Sequence, residues 1–322
     1  MKYTKINGTE LNASKLVLGT DIFGTTYSCE DSFDLMDAFV DGGGNVLDTA
    51  SCYADWNGGE KSASEKTIGK WLCERKNRDK MIISTKGGHP DCANMRIPRL
   101  LSKDIDTDLE NSLINLKTDY IDVYWLHRDD ETRPVSEIME TLHRHVVKGN
   151  VRHLGASNWT HDRIRMANEY ALKNNLTPFI ASQIQYSVAR LNEGTLINNM
   201  LGMSYGDKEY QKYASDKLSM FSYTSVARGF FSLVAGGMTD KLSEFTKREY
   251  LNDYNLKLAQ KIKDIAEEKK TNISAIVLSL LTSDTNLSVF AQVGTKKISH
   301  LTESFDFEKV EFSQKEIDEI LK

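Results

Sequence analysis

NVLDTASCY, residues 45–53, begins as an apolar run and ends in a carboxylate and a phenol. Val46 and Leu47 continue without alternation into Asp48, and Tyr53 follows five residues later. A short unbroken apolar run suits a strand covered on both faces, as in a parallel sheet. A charge at the end of such a strand is not there for the core and needs another reason.

Seven more runs of this type occur along the chain. With NVLDTA (45–50) they are KLVLGT (15–20), MIISTK (81–86), IDVYWLH (121–127), VRHLGAS (151–157), FIASQIQYS (179–187), LSMFSYTS (218–225) and SVFAQVGT (288–295). Stretches with helical spacing separate them, as in SKDIDTDLENSLINL (102–116). There Ile105, Leu109, Ser112, Leu113 and Leu116 share one face, and Ser102 is the expected N-cap. Alternating strands and helices call for parallel strands with crossover helices. Ahead of the first run, KYTKI and TELNA flank Asn7-Gly8, which predicts a hairpin with a type I′ turn.

The expected fold is a single α/β domain over residues 1–322, a (β/α)8 TIM barrel with an N-terminal β-hairpin covering its bottom. No low-complexity linker or proline-rich hinge divides the chain, which has four prolines. An open doubly wound sheet has the same local pattern. Its usual dinucleotide fingerprint G-x-G-x-x-G is missing, as is a G-x-x-x-x-G-K-[ST] phosphate loop, and Gly42, Gly43 and Gly44 precede a strand instead of following one.

Composition narrows the partners. A net charge of -5 provides no basic footprint for nucleic acid. No run of about 18 apolar residues exists to span a membrane, and MKYTKINGTE lacks the apolar core of a signal peptide, so the expected location is cytoplasmic. Cys29, Cys52, Cys73 and Cys92 show no C-x-x-C spacing, which points to reduced thiols. No metal site is expected either, since His143 and His145, two apart on a helix, point to different faces.

Three successive runs end in polar groups: Asp48, Lys86 and His127. In a barrel these strands are neighbours and the active site lies at their C-terminal ends, so the three should converge with Tyr53. Taken singly, Asp48 could be a turn former, Lys86 a solvated rim residue and His127 a satisfied core histidine. Together they suit proton delivery to a carbonyl oxygen. A phenol with a pKa near ~10 needs a neighbouring cation to act as an acid at neutral pH. Lys86 is the expected cation, Asp48 its ion-pair partner, and His127 the donor that orients the carbonyl.

The residues D-T-A-x-x-Y (Asp48, Thr49, Ala50, Tyr53), then Gly59, Ser64-Glu65 and Ile68-Gly69, resemble the aldo-keto reductase superfamily. So do STK (84–86), the LH of YWLH, VRHLGASNW (151–159), SQIQYS (182–187), SYTSVARGFFS (222–232) and VGTKKISHLTES (293–304). The resemblance implies an NADPH-dependent reductase of aldehydes or ketones, NADH being possible, with a small-molecule carbonyl substrate, as a monomer or homo-oligomer. It implies a catalytic tetrad of Asp48, Tyr53 as general acid, Lys86 and His127.

It also implies that Ser157, Asn158 and Gln183 hold the nicotinamide carboxamide and that Tyr223 stacks on the ring. Thr20, Thr224, Ser225, Arg228, Gly294, Thr295, Lys296, His300, Glu303 and Ser304 complete the cofactor set, with Lys297 beside them. Asn158 could instead cap a helix, and Gln183 satisfy barrel backbone. The chain departs from better-known members at Gly294, His300 and Ser304, where lysine, arginine and asparagine are common, and at Arg128, where many have tryptophan. Phe23, Trp56 and Trp159, with Phe230, are the expected substrate wall. Two rival readings are a Schiff-base aldolase using Lys86, which would need that lysine uncharged, and a cofactor-binding regulatory subunit resembling potassium-channel β subunits.

Overall fold

The computed structural model describes residues 1–322. Its strands are β1 (Tyr3–Lys5), β2 (Asn12–Ser14), β3 (Leu16–Gly19), β4 (Val46–Asp48), β5 (Ile82–Gly87), β6 (Ile121–Leu126), β7 (Val151–Ser157), β8 (Phe179–Tyr186), β9 (Gly202–Met203), β10 (Ser219–Tyr223) and β11 (Val289–Val293). Every one of the eight apolar runs contains a strand of the main sheet. These pair in parallel in the order β10-β11-β3-β4-β5-β6-β7-β8, and β8 pairs with β10 from Ser219↔Ala181 to Tyr223↔Gln185. That last pairing closes the sheet into a (β/α)8 barrel and removes the open-sheet alternative. The short β9 adds to the rim of β8.

Closure gives each strand an inner and an outer face. Leu16, Leu18, Leu47, Ile83 and Tyr124 join the large core between strands and helices, while Val17, Val46, Ile82, Val123, Ala181, Phe221 and Phe290 fill the barrel interior. The period of two along a strand enforces this sorting. Ile6 and Ala13 of the N-terminal hairpin are buried with the interior set, so the hairpin plugs the barrel floor.

Two local expectations are corrected. The hairpin turn does not take the type I′ form: Gly8 has φ 74° but Asn7 is not left-handed, and the connection runs from Ile6 to Leu11. Asn7 is pinned to the barrel instead, its N–H donating to Ser219 Oγ at 2.9 Å and its Nδ2 to Lys217 O at 2.6 Å. The helix Ser102–Leu116 starts one residue earlier than a cap at Ser102 requires. Leu101 is the N-cap, and the Asp104 carboxylate accepts its N–H. No helix is long and apolar enough to cross a membrane.

Large rings fill the barrel beneath its polar mouth. Trp125 meets Phe221 edge-on at 5.1 Å, and Phe221 stacks on Phe290 at 4.7 Å. Gly155 on the neighbouring strand makes room, for a Cβ there would lie 2.1 Å from Trp125 Cε3. The backbone at Gly155 is not left-handed, so the requirement is one of space alone. Gly155→Ala should therefore cost about 1–3 kcal/mol of stability through overpacking. Urea unfolding should show a lower midpoint at unchanged slope; a midpoint equal to that of the parent protein would remove Trp125 from this role.

Candidate active site

Asp48 ends β4, Lys86 lies near the end of β5, and His127 follows β6 directly. Each shares the inward parity of Val46, Ile82 and Val123, so all three point to the barrel axis at its C-terminal end. Tyr53 reaches the same place from the turn after β4, where Tyr53 N–H donates to Ala50 O.

Asp48 and Lys86 are fully buried and ion-paired at 2.5 Å. The carboxylate also accepts from Ser84 Oγ at 2.5 Å, Gln292 Nε2 at 2.9 Å and Gln183 Nε2 at 3.1 Å. Lys86 Nζ has three acceptors: Asp48, Thr49 O at 2.7 Å and Tyr53 Oη at 3.0 Å. An ammonium has three N–H bonds, so each finds a partner. Burial pulls the Lys86 pKa below the ordinary lysine value, and the Asp48 charge and hydrogen bond act against it.

The expectation that Lys86 brings the Tyr53 pKa toward neutrality is corrected. Burial, and after it the Asp48 charge, hold the phenol well above its usual value. Tyr53 is therefore a neutral phenol whose oxygen accepts from Lys86. His127 is displaced the other way: burial, then the charge of Arg128, keep its imidazole neutral. His127 Nδ1 faces Cys52 Sγ at 3.6 Å, and its ring lies 5.8 Å from that of Tyr53 and 4.6 Å from that of His89. His89 Nδ1 donates to Pro90 O at 2.6 Å, and burial lowers the His89 pKa to about 4.

Above these groups opens a cleft of about 920 Å³. Tyr53, Trp56, His127, Ser157, Asn158, Gln183 and Tyr223 line its inner part, with Thr224, Ser225 and Arg228. Gly294, Thr295, Lys296, Lys297, His300, Glu303 and Ser304 line its outer end. The helix Ile298–Phe305 begins there with no side-chain cap, so its first N–H groups and the two lysines make a setting for an anion. Thr295 Oγ1 accepts the Lys297 N–H at 3.1 Å, and Ser304 Oγ donates to His300 O at 2.9 Å. Arg228 faces Glu249 at 3.4 Å. Asn158 caps no helix; the cap is Thr160. Its Oδ1 accepts from Tyr223 Oη at 2.8 Å and Leu201 N at 3.0 Å, fixing the tyrosine ring against the cleft.

Four expected residues lie elsewhere. Phe23 is buried and stacked on Tyr27 at 6.2 Å. Trp159 is fully buried: the chain turns through Asn158 at φ 56°, and the indole packs against Phe179 at 5.4 Å behind the barrel. Phe230 is buried against Phe231 at 5.4 Å. Thr20 is fully buried, its hydroxyl donating to Asp48 O at 2.9 Å, so it supports the strand and does not face the cleft. Trp56 alone of the proposed substrate wall is in place, 49% exposed and edge-on to Tyr53 at 5.9 Å.

Sequence reasoning missed Gln292, Ser84 and His89, and set Cys52 beside Tyr53 without giving it a role. Gln292 was legible, since a polar residue with the parity of Phe290 interrupts the run VFAQV and must enter the barrel. Ser84 has the parity of Lys86. Cys52 and His89 lie in loops, where no period assigns a direction.

A sequence profile described as Aldo/keto reductase family matches residues 15–322. Among curated relatives, norsolorinic acid reductase of Aspergillus flavus is 27% identical over 96% of this chain and 77% of its own length. A putative aryl-alcohol dehydrogenase of Saccharomyces cerevisiae is 26% identical over 96% of this chain and 82% of its own. A thermostable aldo-keto reductase solved with the inhibitor epalrestat superposes with a TM-score of 0.73 at 20% identity, over 99% of this chain and 98% of that one.

The buried, neutral His89 has a consequence for acid stability. Between its ordinary pKa of 6.5 and about 4 in the native state, the unfolded chain binds a proton that the native site refuses. Stability is then full above pH 6.5 and falls as the pH drops, by up to about 3 kcal/mol from this residue. His89→Gln should flatten the pH dependence of the urea midpoint between pH 6.5 and 4. Superimposable profiles for the two proteins would show that His89 does not contribute.

Proposed function

The chain belongs to the aldo/keto reductase family, whose members use NAD(P)H, and on that footing we propose that it reduces an aldehyde or ketone to the alcohol with NADPH. Tyr53 gives the proton. Bound in the cleft, the cofactor supplies the hydride that the carbonyl carbon receives.

The donor set suits such a dinucleotide. The uncapped helix terminus with Lys296, Lys297 and His300 would take its phosphates. A Cβ at Gly294 would meet nothing within 4 Å, so the backbone there leaves space beside a ligand. Tyr223 presents a ring held by Asn158, and Ser157 and Gln183 line the inner end. Gln292 Oε1, buried without a partner, is an acceptor on the same wall.

The observation that carries the reading is the chain of contacts Asp48, Lys86, Tyr53. Because Tyr53 Oη accepts from Lys86, its own proton is free to face the substrate. When that proton moves to the carbonyl oxygen, the phenolate forms 3.0 Å from the ammonium. The attraction between them exists only as charge develops, which is the condition for accelerating a reaction. Neutral His127 retains one N–H for the carbonyl oxygen. Asp48 keeps Lys86 charged and in place.

The aldolase alternative fails on the same residue. Lys86 Nζ is fully buried with three acceptors, whereas a Schiff-base lysine needs to be uncharged and reachable. The relatives named as aryl-alcohol dehydrogenases support an aromatic body for the substrate, with Trp56 as one wall.

Tyr53→Phe keeps the ring and removes the acid. It should lower kcat/KM for an aromatic aldehyde by about 10²–10⁴-fold while NADPH binding, followed by tryptophan quenching, stays unchanged. Turnover at the parental rate would take Tyr53 out of this role. In the same titration NADPH should bind at least about 10-fold more tightly than NADH, near 1.4 kcal/mol. Equal affinities would show that Lys296, Lys297 and His300 do not read the additional phosphate.

A further inference from the structure

Arg128 lines two cavities at once. One is the cleft that holds Tyr53, and the other is a neighbouring hollow of about 530 Å³. The side chain is half-buried. Nε donates to Asn198 O at 3.2 Å and Nη1 to His127 O at 2.7 Å, which sets the plane of the guanidinium. The remaining N–H bonds, both of those on Nη2 among them, have no protein acceptor.

No carboxylate oxygen lies within 4.0 Å of it, whereas Arg78, Arg99, Arg152, Arg163 and Arg228 each reach one. Burial lowers its pKa, and the groups that act against this are Tyr223, Cys52 and Tyr53, none of which carries a charge in this environment at neutral pH. A guanidinium withdrawn from water without a counterion is unfavourable by itself, and its planar fork matches an oxyanion. The hollow adds Arg96 and the amides of Asn94, Asn198 and Asn199. Asp129 is the carboxylate on its wall, and Arg163 holds it at 3.2 Å.

We propose that this hollow is a subsite for an oxyanion, a carboxylate or phosphate carried by the carbonyl substrate and gripped by Arg128 with Arg96. The inference rests on the reductase reading for the reacting end of that substrate. Arg128 follows His127 in sequence and donates to its carbonyl oxygen, so the anion and the reacting carbonyl would be held by one short segment of chain. The enzyme would then select acidic aldehydes or ketones over neutral ones of the same shape.

Two measurements test this together. In turnover, 4-carboxybenzaldehyde should have a kcat/KM about 10–100-fold above that of neutral 4-carbamoylbenzaldehyde, mostly through KM. Arg128→Gln should bring the two to parity by slowing the acid about 10–100-fold more than the amide. Arg96→Gln, whose side chain makes no hydrogen bond in the fold, should give a smaller loss of the same kind. Equal losses for both aldehydes on Arg128→Gln would overturn the proposal, since the residue would then act at the reacting centre.

The second measurement needs no turnover. Calorimetric titration with benzoate, phenyl phosphate and benzamide, with and without NADPH, should show the anions bound at least about 10-fold more tightly than the amide, and the difference lost in Arg128→Gln. The stronger of the two anions identifies which oxyanion the site prefers. Equal binding of benzoate, phenyl phosphate and benzamide to the parent protein would overturn the subsite. Anion binding that depends on Arg128 in a protein that reduces no aldehyde would instead sustain the subsite and sink the reductase reading.

Discussion

The buried ion pair between Asp48 and Lys86 is the constraint around which this barrel mouth is built. Two charges withdrawn from water are costly, and their attraction offsets the cost only when the remaining lone pairs and protons are satisfied. Here the carboxylate is met by Ser84 on β5, Gln183 on β8 and Gln292 on β11, and the ammonium by Thr49 O and Tyr53. Strands on opposite sides of the sheet supply these partners. They reach Asp48 only when β8 and β10 have paired and the barrel is closed. Formation of the site and completion of the fold are therefore the same event.

Around that pair the other titratable groups are kept neutral. Burial raises the phenol of Tyr53 and lowers the imidazoles of His127 and His89. The sequence reading had Lys86 drawing the tyrosine toward neutrality, an effect of one charge on one phenol. In the folded chain desolvation, and after it the Asp48 charge, outweigh it. What Lys86 offers the phenol is a hydrogen bond of 3.0 Å and a cation ready for the phenolate.

The two ends of the cleft differ in kind. The outer end, where β11 passes into the helix Ile298–Phe305, is a surface of backbone N–H groups and exposed lysines. The wall beside His127 is built of partly buried polar groups, with Arg128 the cation among them that has no ion partner. Beneath both, Trp125, Phe221 and Phe290 pack ring against ring as an apolar floor.

The sequence alone determined the eight strands, their parallel sense and the common face that Asp48, Lys86 and His127 share with Val46, Ile82 and Val123, because apolar runs and the two-residue period are local properties of a chain; closure of the sheet was decided by the pairing of β8 with β10. The same period made Gln292 readable as an inward polar residue. It could not assign Trp159 and Phe23, which follow strands, or Phe230, which opens a helix, since one left-handed residue such as Asn158 sends the next side chain behind the barrel instead of into it. Nor could it place Cys52 and His89 against His127, or leave Arg128 without a carboxylate. Those depend on which loops meet once the barrel has closed, and on how far burial displaces each proton, and only the tertiary structure decides either.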